Sequence, residues 1–598
     1  MNVAEAVGAV LASLGVRAAF GVVGSGNFHV TNALAEHGVR YVAARHECGA
    51  ATMADAYARM SGTVTIVSVH QGPGLTNALT GVTEAAKSRT PLLVLAPEAT
   101  SPTSNFRIDQ AALAEAVGAH CARIGSAETV LDDTVMAFLA ALLGRRTVVL
   151  NLPLDVQAEE LPEETAESVR ELVAGRGGAH RGVASRVPAP WGLTFPKEPS
   201  LETPTGTPTG TPTGTPAEEG EPEGLAAEPS DALTRFARLL AGASRPVFVA
   251  GRGARGARRE LEALGEQVGA LFATSAVAKG HFHGSPWDLD VSGGFATPLA
   301  AELIRDADLV VGWGCSFTTW TTRHGTLIGP EAAVVQVDLD RDALGVHREV
   351  DLGVVGDVRE TARAVAALLA GPGGRSEPAP GYRTPEIAAR IAREGRWRDV
   401  PYEDTGARGR IDPRTLTIGL DDLLPEERLV AVDSGNFMGY PSMFLTVPDG
   451  SAFCFTQAFQ SIGLGLATAI GAALARPDRV TVAALGDGGA LMGIAELETV
   501  VRLGLPMMVV VYDDEEYGAE VHHFAPHGLP VGAVTFPPVD IAAIGRGFGC
   551  EAVTVRTEED LAGVAAWLKG PRDKPLVVHA KVTADTPAWW LEEAFRGH

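Results

Sequence analysis

What the chain lacks narrows the field first. Its 598 residues include five cysteines, at positions 48, 121, 315, 454 and 550, with no Cys-x-x-Cys pair. That excludes a disulfide framework and a cysteine-rich zinc module, and it suits a reducing compartment. Basic residues are scarce, 49 Lys and Arg against 73 Asp and Glu, for a formal charge of −24. Neutralising phosphates takes clustered Lys and Arg, so nucleic acid and anionic membrane are excluded as general partners. No run of 18 apolar residues is present, and the longest candidate, 462–475, is broken by Gly463, Gly465 and Gly471. Residues 1–20 lack the basic-then-apolar layout of a secretory signal. These absences together predict a soluble, cytoplasmic protein.

What is present is material for several cores. The length suggests three to four domains at about 150 residues each, and 46% of the residues are hydrophobic. Two stretches interrupt the globular pattern. Residues 158–229 are rich in Glu, Pro, Gly and Thr, and Pro204, Pro208, Pro212 and Pro216 are each separated by Thr-Gly-Thr. With almost no apolar side chains to bury, this stretch is expected to be an extended linker. A second Pro/Gly cluster covers 371–385. The remaining blocks, 1–157, 230–370 and 386–598, alternate short β-branched runs with longer Ala/Leu-rich segments. Runs such as Val64–Val69, Leu92–Leu95, Val247–Ala250, Leu309–Val311, Val334–Val337, Val480–Ala483 and Met508–Val511 predict βα units. The fold class is therefore α/β, with three doubly wound parallel-sheet domains.

The sharpest chemical motif lies in the third block. The run from Val480 meets Gly486-Asp487-Gly488-Gly489, a helical pattern with Glu496 follows, and a second run ends at Asp513-Asp514-Glu515-Glu516-Tyr517. Glycines at a strand end let backbone N–H groups approach phosphate oxygens. An acid there holds a divalent cation against them. Asp487 and Asp514 are 27 residues apart, about one βαβ crossover, so they belong at neighbouring strand ends in the ligand crevice of an open sheet. Read alone, Gly-Asp-Gly is an ordinary turn; the second acid at crossover spacing makes it a site.

This motif resembles the diphosphate/magnesium motif of thiamine-diphosphate (ThDP) enzymes, the group that includes acetolactate synthase, pyruvate oxidase and benzoylformate decarboxylase. The resemblance implies Mg²⁺ ligation by Asp487, Asp514 and the backbone carbonyl of Glu516, with Gly486, Gly488, Gly489 and Tyr517 beside the cofactor. The family usually has Asn-Asn where this chain has Asp513-Asp514. Ser434-Gly435-Asn436 resembles the loop that holds the diphosphate. Ser461 and Ile462 stand where the family places an apolar wedge beneath the bent cofactor. In the first block, Arg45-His46-Glu47-Cys48-Gly49 resembles the activating-glutamate segment, which implies that Glu47 faces N1′ of the aminopyrimidine. Gly72-Pro73-Gly74, with Asn77 three residues on, resembles the pyrimidine-side turn. Ser25 and His70 match decarboxylase-like active-site positions, and Gln110 resembles a glutamine that reaches substrate in synthases. Each of these side chains also has a bland reading, as a cap, a core contact or a surface residue.

The resemblance spans all three blocks and implies a pyrimidine-binding domain at 1–157, a linker at 158–229, a central domain at 230–370, a linker at 371–385 and a diphosphate-binding domain at 386–598. The segment after Gly312-Trp313-Gly314 departs from the run of FAD-binding members, so FAD is not expected. The implied activity is ThDP- and Mg²⁺-dependent decarboxylation of a small 2-oxo acid. It is followed by carboligation, as in acetolactate synthase, or by protonation to an aldehyde, as in a benzoylformate-type decarboxylase or an acyloin lyase. A catalytically idle, cofactor-binding regulatory paralogue and an unrelated nucleotide-binding α/β protein are the rivals from other classes. The family's composite cofactor site implies a homodimer or homotetramer. Deleting 204–216 is expected to leave turnover and melting temperature nearly unchanged; parallel activity assays and thermal melts of the deletion and the full chain check this.

Overall fold

The computed structural model describes residues 1–175, 229–371, 381–407, 409–584 and 587–591; the Thr-Gly-Thr-Pro repeat lies outside them. Three six-stranded sheets, each flanked by helices, account for the three blocks. The first contains β1 (Ala18–Gly21), β2 (Arg40–Ala43), β3 (Thr65–Ser68), β4 (Leu92–Glu98), β5 (His120–Arg123) and β6 (Thr147–Pro153). The second contains β7 (Pro246–Ala250), β8 (Leu271–Thr274), β9 (Asp288–Val291), β10 (Leu309–Trp313), β11 (Ala333–Asp338) and β12 (Leu352–Val355). The third contains β13 (Arg428–Val432), β14 (Phe453–Phe455), β15 (Val480–Gly486), β16 (Met507–Asp513), β17 (Glu551–Val555) and β18 (Leu576–Lys581). The central strands β3, β7, β10, β13 and β16 are buried along their whole length. Strands covered on both faces read as continuous apolar runs, which is why the pattern was visible in the sequence.

Strand order decides where a site can form. The first sheet runs β2-β1-β3-β4-β6-β5 and the third β14-β13-β15-β16-β18-β17, which is the same winding. The middle sheet runs β12-β11-β10-β7-β8-β9, the 3-2-1-4-5-6 order read from its other edge. An open parallel sheet offers its ligand crevice beyond the strand ends where the order reverses. In the first sheet that point lies between β1 and β3, and in the third between β13 and β15.

Two stretches expected to be linker are partly folded. Glu163–Ala174 is a helix with Ala166 and Val169 buried, Val169 in the core that also holds Val3, Val7 and Val10. The Val3 N–H donates to the Glu159 carbonyl at 3.0 Å, which ties this return segment to the start of the chain. Composition hid the helix because its apolar stripe is only Ala166, Val169, Leu172 and Val173. Likewise, from Gly381 the chain docks on the middle domain, where the buried Tyr382 hydroxyl donates to the Leu303 carbonyl at 3.0 Å.

One helix joins the outer domains. Glu47–Ser61 packs between helices Pro73–Lys87 and Gly465–Ala475. A Cβ on Gly471 would lie 2.0 Å from the Met53 carbonyl oxygen, and one on Gly81 would lie 2.7 Å from the Ala51 Cβ. At the helix C-terminal end, Arg59 bridges the buried Asp55 and Glu84 at 2.6 and 2.8 Å and donates to the Phe455 carbonyl. Glu84 in turn accepts from the Ala458 and Phe459 N–H groups. Substituting Gly471 by Ala forces the helices apart, and overpacking of this kind costs about 2 kcal/mol. Urea denaturation of Gly471→Ala should show an unfolding free energy lowered by about 2 kcal/mol.

Candidate active site

β15 and β16 are parallel neighbours with Gly486 opposite Tyr512, so Asp487 and Asp514 emerge from adjacent strand ends. Asp433, Ser434, Gly435 and Asn436 follow β13 on the other side of the switch point. The Ser434–Asn436 loop, Ile462, Gly486–Gly489, Asp514, Glu516 and Tyr517 all line one cavity. Its floor is packed without slack. A Cβ on Gly486 would press on the Phe437 ring at 3.0 Å, one on Gly488 would meet the Tyr517 ring at 2.4 Å, and one on Gly489 would meet an Asp433 oxygen at 2.4 Å. Glycine here is a demand of close approach. Ser461 sits just behind, half-buried, its hydroxyl on the Ile462 carbonyl at 3.3 Å.

The carboxylates at this edge are in different electrical states. Burial, with the Asp513 charge nearby, pushes the Asp487 carboxyl up to about 7, and Asp487 shares a hydrogen bond with Asp514. Asp514 is raised well above the usual carboxylate range by burial and by the adjacent Asp487 and Glu516. Among the described residues neither forms an ion pair, and no group of three His, Cys, Asp or Glu side chains converges there. Two buried carboxyls that raise one another in this way are a donor pair that a hard divalent cation stabilises. The set fits Mg²⁺ provided that backbone, phosphate or water oxygens complete the shell.

Asp513, the departure from Asn-Asn, faces elsewhere. Its Oδ2 accepts from Lys581 Nζ at 2.7 Å and lies 2.5 Å from His579 Nε2. Although burial opposes this, those bonds hold the Asp513 carboxyl below its ordinary range. Asp433 is buried too and is pushed up to about 6, even though it accepts from the Ser434, Gly463 and Leu464 N–H groups.

The first-domain residues gather at the β1/β3 switch point. Ser25 is exposed at the tip of a loop held by Asn27, which accepts from the Gly24 N–H at 2.8 Å and donates to the Ser68 hydroxyl at 3.0 Å. His70 follows β3, its ring edge-on to Phe106 with centroids 5.3 Å apart. Gly72 has φ +66° and opens the helix that carries Pro73 and Asn77; a Cβ there would lie 2.7 Å from the Phe106 carbonyl oxygen. Glu47 begins its own helix and accepts from Asn77 Nδ2 at 3.1 Å, which joins two helix starts. None of these residues lines the third-sheet cavity; they form a second cluster, at the switch point of the first sheet.

Gln110 is buried beside the first sheet. It is 2% exposed, and its amide donates to Asn151 at 2.7 Å and to the Ala96 carbonyl at 3.4 Å, so in this chain it braces β4 against β6. Glu496 was seen in the sequence only as part of a helical pattern. It is 4% exposed and accepts from the N–H groups of Arg45 and His46 at 2.9 and 3.2 Å and from the Thr499 hydroxyl at 2.7 Å. It therefore fastens the residues before Glu47 to the third domain. Two consecutive amides 450 residues away are invisible to local pattern, so no sequence signal marked it.

Three family descriptions match the chain. They are "Thiamine pyrophosphate enzyme, N-terminal TPP binding domain" over residues 1–117, "central domain" over 233–365 and "C-terminal TPP binding domain" over 433–580. Among curated proteins, a sulfoacetaldehyde acetyltransferase of Castellaniella defragrans is 26% identical over 94% of this chain and 89% of its own length. A probable acetolactate synthase large subunit of Methanocaldococcus jannaschii is 26% identical over 87% and 81%. A probable 2-ketoarginine decarboxylase of Pseudomonas aeruginosa is 28% identical over 94% and 90%.

Removing the Glu496 carboxylate leaves two amides without their acceptor. Glu496→Ala should lower stability by about 2–3 kcal/mol in chemical denaturation, and Glu496→Gln, which keeps an acceptor oxygen, by clearly less.

Proposed function

Because the chain belongs to the thiamine pyrophosphate enzyme family, and is a ThDP-dependent enzyme that forms or cleaves carbon–carbon bonds, we propose that it is a Mg²⁺-dependent 2-oxo-acid decarboxylating carboligase with an acetolactate-synthase-like outcome. The observation that carries this is the glycine-floored cavity at the β13/β15 switch point with Asp487 and Asp514 side by side. Gly435, Asn436, Ser461, Gly486, Gly488, Gly489 and Tyr517 would hold the diphosphate. Asp487, Asp514 and the Glu516 carbonyl would hold Mg²⁺, and Ile462 would press on the bent cofactor from the cavity wall. Among the relatives, one is named as an acetyltransferase and one as an acetolactate synthase, which favours transfer to an acceptor over protonation alone.

When bound, ThDP supplies the carbon nucleophile and the electron sink. The chain's own groups do the rest. Glu47 holds a proton toward N1′ of the aminopyrimidine and is itself oriented by Asn77; Gly72 and Pro73 shape that pyrimidine side. Ser25 and His70 border the substrate. In a composite site of the family's kind, the first-domain cluster of one copy would face the third-domain cavity of a second. Exposed apolar side chains rim both halves, Phe28 at 51% on the first domain and Met492 at 55% on the third, which is the surface a homodimer would cover.

A decarboxylase outcome is the second reading, and His70 favours it, because an imidazole at the substrate edge can deliver the proton that releases an aldehyde. Incubation with pyruvate, 2-oxobutyrate and benzoylformate, each with and without an aldehyde or 2-oxo-acid acceptor, separates the readings by product mass. Ligated product identifies a carboligase. Free aldehyde alone, lost in His70→Ala, identifies a decarboxylase. Chelation by EDTA should strip both ThDP and activity, and Mg²⁺ with ThDP should restore them. Asp514→Asn should remain active while Asp487→Ala does not recover; ThDP retained at full strength after chelation would overturn the metal bridge.

A further inference from the structure

Between Asp513 and Tyr517 the chain turns from the end of β16 into the third-domain half-site, and the turn passes through a residue that does not favour its backbone conformation. Glu515 has φ +66°, the left-handed region that glycine adopts freely and other residues avoid. A non-glycine residue stays there only when its surroundings over-determine it, and such residues concentrate at functional sites. The surroundings of Glu515 do so on every side. Its N–H donates to Asp513 Oδ1 at 3.1 Å and its carbonyl accepts from the Phe536 N–H at 2.8 Å. Its carboxylate is gripped by two cations, Lys581 Nζ at 2.9 Å and an Arg410 guanidinium nitrogen at 2.7 Å.

Both cations also hold the residue two places earlier. Lys581 Nζ reaches Asp513 Oδ2 at 2.7 Å, and Arg410 donates to the Asp513 and Val582 carbonyls at 3.2 and 3.0 Å. Lys581 is buried at the end of β18, the strand paired with β16 with Lys581 opposite Asp513. Its ammonium therefore spans the turn from a rigid strand, one arm on each flank of Asp514.

We propose that Lys581, assisted by Arg410, is a positioning residue for the metal-binding turn. By clamping Asp513 and Glu515 it keeps Glu515 left-handed, and so sets Asp514 beside Asp487 and delivers the Glu516 backbone to the same cavity. The inference rests on the reading of Asp487 and Asp514 as Mg²⁺ ligands. It also assigns a use to Asp513, which stands where the family has Asn: its charge is an anchor for the clamp and is directed away from the cation.

The test measures Mn²⁺ binding by electron paramagnetic resonance, with saturating ThDP and full-length chain. Wild type that takes up no Mn²⁺ with ThDP overturns the metal reading and this inference with it. Given wild-type binding, Lys581→Met should weaken Mn²⁺ about tenfold or more. The second variant is Lys581→Met combined with Glu515→Gly, where glycine adopts the turn without a clamp; it should recover most of the lost affinity. Unchanged binding in Lys581→Met overturns the inference. So does recovery with Asp513→Asn but none with Glu515→Gly, which would make Lys581 a neutraliser of Asp513 and no more. Should Lys581→Met fail to fold, Arg410→Gln reads the same clamp from its half-exposed arm, with weakened Mn²⁺ supporting the inference and wild-type affinity overturning it.

Discussion

The helix that begins at Glu47 has no room to move, and the first-domain half-site depends on that. Its neighbours approach so closely that a single added Cβ on Gly471 or Gly81 would collide with it. Such contacts are available only to glycine and alanine faces, and they make the helix a rigid spacer between domains. Its two ends are then fixed by charge. Glu496 accepts the amides just before Glu47, and the Arg59–Asp55–Glu84 cluster ties the far end to the Phe455–Phe459 segment. A proton-handling carboxylate must be held within a fraction of an ångström of its partner. For Glu47 in its proposed role, part of that precision would come from the third domain, through Glu496 and the close approach at Gly471.

At the third-sheet edge the organising constraint is the disposal of negative charge. Asp433, Asp487, Asp513, Asp514, Glu515 and Glu516 crowd the ends of three adjacent strands. At an effective dielectric constant of about 20, two like charges ~4 Å apart repel by about 4 kcal/mol, so each carboxylate needs its own remedy. Asp433 is surrounded by backbone N–H groups, Asp513 is held by His579 and Lys581, and Glu515 by Lys581 and Arg410. Asp487 and Asp514 share a hydrogen bond and accept from backbone N–H groups, yet both are raised above the ordinary carboxylate range. Lys581 and Arg410 thus serve Asp513 and Glu515 and not the pair whose proposed partner is Mg²⁺.

Local signals were legible where local physics produces them. Doubly covered strands advertise themselves as β-branched runs, and the 27-residue spacing of Asp487 and Asp514 follows from the length of one crossover between neighbouring strands. The three glycines beside Asp487 were readable for the same reason, since close backbone approach leaves no alternative residue. What escaped was long-range pairing. Glu496 looks like any acid at a helix start, and Lys581 like any charge at a strand end, until the sheet places them against amides and carboxylates far away in sequence. Gln110 shows the converse: a residue that matched a motif by position is tied into the β4–β6 packing. The helix at Glu163–Ala174 was masked by acidic composition, although Ala166, Val169 and Leu172 carry a helical stripe.

The identical winding of the first and third sheets explains why two unlike half-sites occupy equivalent places. In each, the loops after the first and third strands of the sheet face the switch point, so Ser25 and His70 correspond in topology to Ser434 and Asp487. The same backbone crevice has been filled in two ways. The first domain surrounds it with side chains suited to moving protons, and the third with bare amides and acids suited to holding a charged anchor. Both crevices open at the ends of their sheets, and in the proposed homodimer each would be closed by the other copy. A second copy that sets one domain's crevice against the other's would exclude water from both at once.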